Sequence, residues 1–216
     1  HTAPVLVDWR ARLRERLAGT RPGIAGELRL AGMPPEESRK YAHLFPTQLT
    51  PAAVLVPLVD HPDGLTVLLT ERAPDLRHHP GQISFPGGRL EAHDEGPVAA
   101  ALRETEEEIG LSREHVEVLG FLPDHLIFTG YRVTPVVALV RPGIPLRVDP
   151  VEVASTFELP LAFVMDPANH RARMRPIGDG AVQVYDMPYG KRNVWGATAG
   201  MLMTLYWLLT NPADGG

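Results

Sequence analysis

Apolar residues at Val5, Trp9, Leu13 and Leu17 recur every four positions, which lays one stripe along a helix and predicts an amphipathic N-terminal helix over 5–17. Residues 20–50 then turn rich in Gly, Pro and isolated charges, the pattern of an irregular surface connection. The pattern changes again at 51. Residues 52–59 and 65–70 are short apolar, β-branched-rich runs joined by the turn-forming His61-Pro62-Asp63-Gly64, and they predict a β-hairpin. A Gly- and Pro-punctuated loop over 73–97 leads to Val98, Leu102, Thr105 and Ile109 at helical spacing, with Gly110 where a helix stop is expected. Residues 115–122 and 133–140 read as further strands, 161–165 as a short helix, 171–176 and 182–185 as a strand pair, and 195–209 as a closing helix. No internal repeat or low-complexity tract interrupts this order. The expected organisation is an N-terminal helix and irregular connection over 1–50, followed by one α/β domain over 51–212.

Composition narrows the function classes. A chain of 216 residues with 44% apolar and 22% charged positions is long and apolar enough for a globular core. A formal charge of −5 supplies no basic field for a polyanion, so nucleic acid is excluded as a partner and an anionic substrate needs locally placed cations. The lack of cysteine removes disulfides and thiolate metal sites and is compatible with a reducing cytoplasm. The first fourteen residues mix charged and apolar positions, unlike a signal peptide, and the apolar run 195–209 is shorter than the roughly 20 residues a membrane span needs. The expected partner is a small molecule, with no membrane and with the chain acting as a monomer or homodimer.

The chemistry concentrates in Arg103-Glu104-Thr105-Glu106-Glu107-Glu108, where four carboxylates occupy five positions and repel one another along a helix. At about 100° per residue, Glu104, Glu107 and Glu108 gather on one flank while Val98, Leu102, Thr105 and Ile109 face the opposite side and Glu106 falls away. Three such carboxylates suit a hard cation, Mg²⁺ or Mn²⁺. A bare acidic run of this kind is also read as a solvated helix face, with Arg103 pairing Glu107 at i,i+4. The upstream Phe85-Pro86-Gly87-Gly88 decides for chemistry, since paired glycines let backbone approach a ligand closely.

From Gly88 to Leu111 the chain resembles the Nudix box, with Arg103, Glu104, Thr105, Glu106, Glu107, Glu108, Ile109, Gly110 and Leu111 in the family's order. Two departures stand out: Asp94 occupies the place of the usual glutamate, with Glu95 as the alternative fit, and the gap to Arg103 is one residue longer than standard. Upstream, Leu68-Leu69-Thr70-Glu71-Arg72 through Arg77 and Gly81 to Phe85-Pro86-Gly87-Gly88 is similar to the additional motif of the coenzyme A pyrophosphatase subfamily, where the longer gap is also usual.

The resemblance implies a Nudix fold, an α/β/α sandwich with a mixed β-sheet and the loop-helix-loop of the box. It implies metal-dependent hydrolysis of the coenzyme A diphosphate bond to adenosine 3',5'-bisphosphate and 4'-phosphopantetheine. The alternatives are another nucleoside diphosphate derivative such as NADH or ADP-ribose, or an idle nucleotide-binding regulatory module. By resemblance Glu104 and Glu108 are the best metal ligands, Glu107 is a close third, and the Gly88 carbonyl joins them. The general base is a box glutamate, Glu104 or Glu107, or the distal Glu152, and Arg103 belongs to the catalytic group. Arg72 and Arg77 present fork-shaped donors to phosphate, Arg89 is a weaker candidate, and Gly81, Phe85 and Gly87 shape the substrate loop. His78 and His79 lack a third spaced ligand and read as loop residues. Glu158 sits in a packed-looking segment, and residues 195–199 read as packing for the last helix.

Overall fold

The computed structural model describes residues 6–23, 29–30, 35–74 and 81–212. Helix α1 (Trp9–Leu17) begins later than the apolar stripe predicts, because the Asp8 carboxylate accepts from the Ala11 N–H and caps it there. Val5 lies outside the described residues, and Leu6 and Val7 are exposed. The stretch expected to be an irregular connection carries structure: β1 (Arg29–Leu30), α2 (Pro35–Tyr41) and a 3₁₀ turn at Ala42–Leu44. Tyr41 and Phe45 from this stretch form a small core with Leu126, Ile177 and Val182.

The hairpin is present as β2 (Thr50–His61) and β3 (Gly64–Arg72), paired from Leu58↔Val67 to His61↔Gly64. The expected loop after it holds two short strands, β4 (Ile83–Ser84) and β5 (Gly87–Arg89), before helix α3 (Pro97–Ile109). Then follow β6 (Val116–Phe121), β7 (His125–Ile127), β8 (Tyr131–Val140), β9 (Val153–Pro160) and the short α4 (Leu161–Val164). The chain closes with β10 (Arg171–Ile177), β11 (Gly180–Tyr189), β12 (Arg192–Val194) and α5 (Gly196–Thr210). Strands β1 to β9 form one mixed nine-stranded sheet, and β10 to β12 a separate three-stranded one. At the centre of the large sheet β2 and β8 run parallel, from Thr50↔Tyr131 to Val59↔Val140.

Side chains alternate across β2, so its two faces meet different helices. Ala53 and Leu55 pack with Ala100, Ala101, Val136 and Ala138 under α3. Ala52, Val56 and Leu58 join a larger core with Leu13 and Leu17 of α1 and Leu202 and Leu205 of α5. With both faces covered, the molecule is an α/β/α sandwich around a mixed sheet.

The feature that makes room for a site is a parting of β2 and β3. They pair only near their shared turn; nearer the other end β2 pairs β5, and β3 pairs β4. The segment 83–89 crosses between them, and the Leu55 N–H donates to the Pro86 carbonyl at 2.9 Å. This crossing lays two glycines directly beneath α3.

Candidate active site

Gly87 lies so close to β2 that a Cβ there would meet the Ala53 carbonyl at 2.3 Å and the Val54 Cα at 2.6 Å. Its N–H reaches across to Glu108 Oε2 at 3.3 Å. A Cβ on Gly88 would fall 2.7 Å from the Glu104 carboxyl carbon. The glycines are therefore needed so that this backbone can sit under two carboxylates of α3.

The three expected ligands do not share one environment. Glu108 is buried, only 9% exposed, and its carboxyl is pushed up to about 8, first by burial and then by the Glu104 charge. Glu104, with a side chain 16% exposed, is also raised, first by burial, while Arg103 pulls it back and Glu107 and Glu152 add to the rise. Glu107 departs from the expected convergence: its side chain is 59% exposed, with Arg103 Nη1 at 3.4 Å. One residue along a helix is a turn of about 100°, which swings Glu107 out to solvent as Glu108 swings in. Among the described residues no three His, Asp or Glu side chains stand close enough together to hold a cation as they are.

Arg103, expected to be catalytic, spends its guanidinium on neighbours. Nε and Nη2 donate to the two oxygens of Asp94 at 3.0 and 2.9 Å, Nη1 to Glu104 at 3.0 Å, and Nη2 also to the Arg89 carbonyl at 3.3 Å. It ties Glu104 to the Asp94 turn and to the Arg89 carbonyl. Between the two candidate upstream acids, Asp94 is the one built in: its side chain is 3% exposed, accepts from the Glu91 N–H, and is held at about 2, chiefly by the Arg103 hydrogen bonds. Glu95 is exposed. Sequence reasoning missed this clamp, for which an acid nine positions before an arginine is only a faint signal.

Across the crossing segment stands Arg72, the last residue of β3, whose Nε is buried without a hydrogen-bond partner among the described residues. Its charge lowers the Glu108 carboxyl against the larger effects that raise it. Gly81, at φ 71°, donates its N–H to the Arg72 carbonyl, and the Arg72 N–H donates to Gln82. Glu152 is exposed, yet its charge acts on both Glu104 and Glu108. It is brought there by the end of α3, whose Glu108 and Ile109 carbonyls accept from the Asp149 and Arg147 N–H groups. Arg89 is exposed at the rim, and Arg77, His78 and His79 lie outside the described residues. Phe85, expected to touch substrate, is instead 5% exposed in the large core, because the alternation of the crossing segment turns it to the α5 side. Glu158, expected in a packed setting, is accessible and bonds His61 and Thr66. Trp195 does not pack as expected either: it is 40% exposed, and it is Thr198 that ties α5 to the Ile83 carbonyl at 3.0 Å.

Residues 49–177 match the family model of the NUDIX domain, a span that takes in the crossing segment, the acidic helix and both flanking strands. The chain belongs to the Nudix family. It is 44% identical over 160 residues to Nudix hydrolase NudL of Escherichia coli (strain K12), covering 71% of this chain and 80% of that protein. The NudL of Shigella boydii serotype 18 matches to the same extent. Among solved structures, the Nudix hydrolase RenU of M. smegmatis superposes with a TM-score of 0.53 at 22% identity, over 77% of this chain and 90% of that one, and so shares the fold. This Nudix protein is thus a hydrolase of nucleoside diphosphate derivatives, acting on the pyrophosphate bond.

Nudix hydrolases generally use divalent ions such as Mg²⁺ or Mn²⁺, and the residues of this Nudix site fit one. The donor set is all oxygen, and its two inner carboxylates are both raised, chiefly by burial, with the Glu104 charge adding to the rise of Glu108, a cost that a cation offsets. Glu104 and Glu108 would hold it, with the Gly88 backbone lying against Glu104. A bound cation supplies neutralisation of phosphate oxygens and a lowered pKa for attacking water. Among the described residues no helix is long and apolar enough to cross a membrane.

Proposed function

We propose that this Nudix hydrolase cleaves the diphosphate bond of coenzyme A and its derivatives, giving adenosine 3',5'-bisphosphate and 4'-phosphopantetheine. The observation that carries the reading is where the described parts of the motif, 68–74 and 81–88, lie in the fold. Its arginine, Arg72, ends β3 with an Nε that has no hydrogen-bond partner among the described residues and a charge acting on Glu108, while Gly87 and Gly88 run beneath Glu104 and Glu108. The motif and the acidic helix therefore serve one site, in which Arg72 takes phosphate oxygens beside the carboxylates.

In this reading Glu104 and Glu108 are ligands, Arg103 is a positioning residue, and the proton of the attacking water passes to an exposed carboxylate. Glu107 is engaged by Arg103, whereas Glu152 makes no ion pair with a described residue, which favours Glu152 as the base over the box glutamates. The same reading holds the enzyme to be cytoplasmic and to work as a monomer or homodimer. The crowded carboxylates speak against an idle regulatory module, which would have no use for two raised acids side by side.

Turnover of coenzyme A, NADH and ADP-ribose by the purified protein with Mg²⁺ or Mn²⁺, with products identified by mass spectrometry, tests the assignment. Coenzyme A is expected to lead; much faster cleavage of NADH or ADP-ribose would overturn it. Glu152→Gln is expected to lower kcat about 100-fold or more with metal affinity kept, within the usual contribution of a general base. Full kcat in that variant returns the role to Glu104 or Glu107.

A further inference from the structure

On the face of β3 opposite the carboxylates lies an arginine that no part of the hydrolytic machinery uses. Arg192 opens β12, just after the tight turn at Gly190 and the exposed Lys191. Its guanidinium lies over the Phe157 ring at 4.4 Å, and its side chain is 40% exposed. Among the described residues the acid paired with it is Glu71, whose Oε2 is 3.8 Å from Nε, beyond hydrogen-bond length, and which already accepts from Ser155. Nε itself is buried with no hydrogen-bond partner among the described residues. An arginine stacked on an aromatic face is fixed in its plane; with Nε turned inward, the exposed part of the side chain is its Nη end, whose two N–H groups can receive a phosphate in two-pronged fashion.

Position gives this edge its meaning. Glu71, beside Arg192, is the neighbour in sequence of Arg72, and the β3–β9 register slips between those two residues. Arg72 faces the carboxylates and Arg192 the other side of the same strand end. The start of α5 closes in on that side, with Gly196 beside the Gln82 side chain and Trp195 exposed next to it. A substrate whose diphosphate lies between Arg72 and Glu108 would meet Arg192 by extending around the end of β3, where Glu71 and Arg72 are consecutive residues.

We propose that Arg192, assisted by Lys191, binds a phosphate monoester carried on the nucleoside part of the substrate, and so selects substrates having that group over those lacking it. This rests on the coenzyme A reading above and goes beyond it by locating the phosphate that distinguishes coenzyme A from other diphosphates. Glu71 opposes the incoming dianion, so Glu71→Gln is expected to tighten binding, whereas loss of Arg192 weakens it.

Two measurements separate this inference from the reading beneath it. In the first, kcat/KM is compared for coenzyme A and 3'-dephospho-coenzyme A in wild type, Arg192→Ala and Arg192→Gln, the last keeping a stem over Phe157. Both variants are expected to lose about 10- to 100-fold on coenzyme A, through KM, and to stay within about twofold of wild type on the dephospho substrate. Equal losses on the two substrates would make Arg192 structural and overturn the proposal. In the second, calorimetry compares binding of adenosine 3',5'-bisphosphate with that of adenosine 5'-monophosphate, independently of turnover. Preference for the bisphosphate in wild type and its loss in both variants supports the site even if coenzyme A proves a poor substrate. A preference that survives in Arg192→Ala overturns it even if coenzyme A is cleaved well.

Discussion

Glu108→Gln separates the cost of the site from its use. A carboxyl pushed up to about 8 by burial and the Glu104 charge is mostly protonated at neutral pH when no cation is bound. Because the folded pKa lies above the unfolded one near 4.5, the native state binds the extra proton. Stability from this group is then complete below pH 4.5 and is lost as pH rises from there toward 8. At about 1.4 kcal/mol per unit, the loss at pH 7 is on the order of 3 kcal/mol, and relaxation around the side chain brings it down toward 1. Glutamine keeps the shape and can still accept from the Gly87 N–H. In chelator the variant should therefore be more stable than wild type by about 1 to 3 kcal/mol at pH 7, and equal to it near pH 4.5. Urea unfolding of both proteins across pH 4.5 to 9 in chelator, repeated with Mg²⁺, reads this directly. Wild type should gain stability from the ion, and the variant should gain little and turn over no substrate. Parallel pH profiles for the two proteins, or metal-dependent turnover by the variant, would refute the reasoning.

The two glycines predict opposite outcomes. Gly87→Ala drives a Cβ into the backbone of Ala53 and Val54 and should cost about 1 to 3 kcal/mol or more in urea unfolding, whereas Gly88→Ala meets only the mobile end of Glu104 and should fold nearly normally while losing turnover. Arg103→Lys cannot span both Asp94 oxygens and Glu104 together, so activity should fall about 10- to 100-fold with near-normal thermal stability. His125, wholly buried between the Pro123 carbonyl and Thr204, is held down at about 4, chiefly by burial. The unfolded chain takes its proton first, so stability should fall by up to about 3 kcal/mol between pH 6.5 and 4, and a flat pH profile at that residue's removal and in wild type alike would contradict the assignment.

What could be read in the residues follows how each element earns its stability. The long strands β2, β3 and β8 bury both faces under helices and so appear as apolar runs, which the eye finds readily. Strands β4, β5 and β12 span two or three residues, too few for any period, and exist because neighbouring strands offer them unpaired backbone. Strand β9 reads Val-Ala-Ser-Thr-Phe-Glu-Leu-Pro, with two buried positions, and is set by its pairing to β3. Helix α2, Pro-Glu-Glu-Ser-Arg-Lys-Tyr, has no apolar stripe at all. At the site, the spacing of Glu104 and Glu108 sets them on one flank, but a helical wheel alone does not say which edge of that flank lies against the glycine segment, and so which of Glu107 and Glu108 turns inward. Arg192 was invisible for a related reason: its meaning comes from Phe157 and Glu71, which are distant in the chain.

The extra residue before Arg103 bears on how the upstream acid of the motif connects to the helix. If that acid were a ligand for the cation, lengthening the loop between it and the helix would displace it from the other carboxylates. Here Asp94 closes a turn on Glu91, its N–H donating to the Glu91 carbonyl at 3.0 Å and its side chain accepting the Glu91 N–H at 2.8 Å, and this turn meets Arg103 through two hydrogen bonds. The added length is taken up after the turn, by exposed Glu95 and by Gly96 at φ 151°, a conformation open to glycine, before Pro97 starts α3. Arg103 reaches back over that bulge, so the span from acid to arginine can change while the arginine stays fixed against Glu104. The contacts of the acid therefore run through the arginine, and a flexible guanidinium can satisfy both the shorter aspartate side chain and the longer loop.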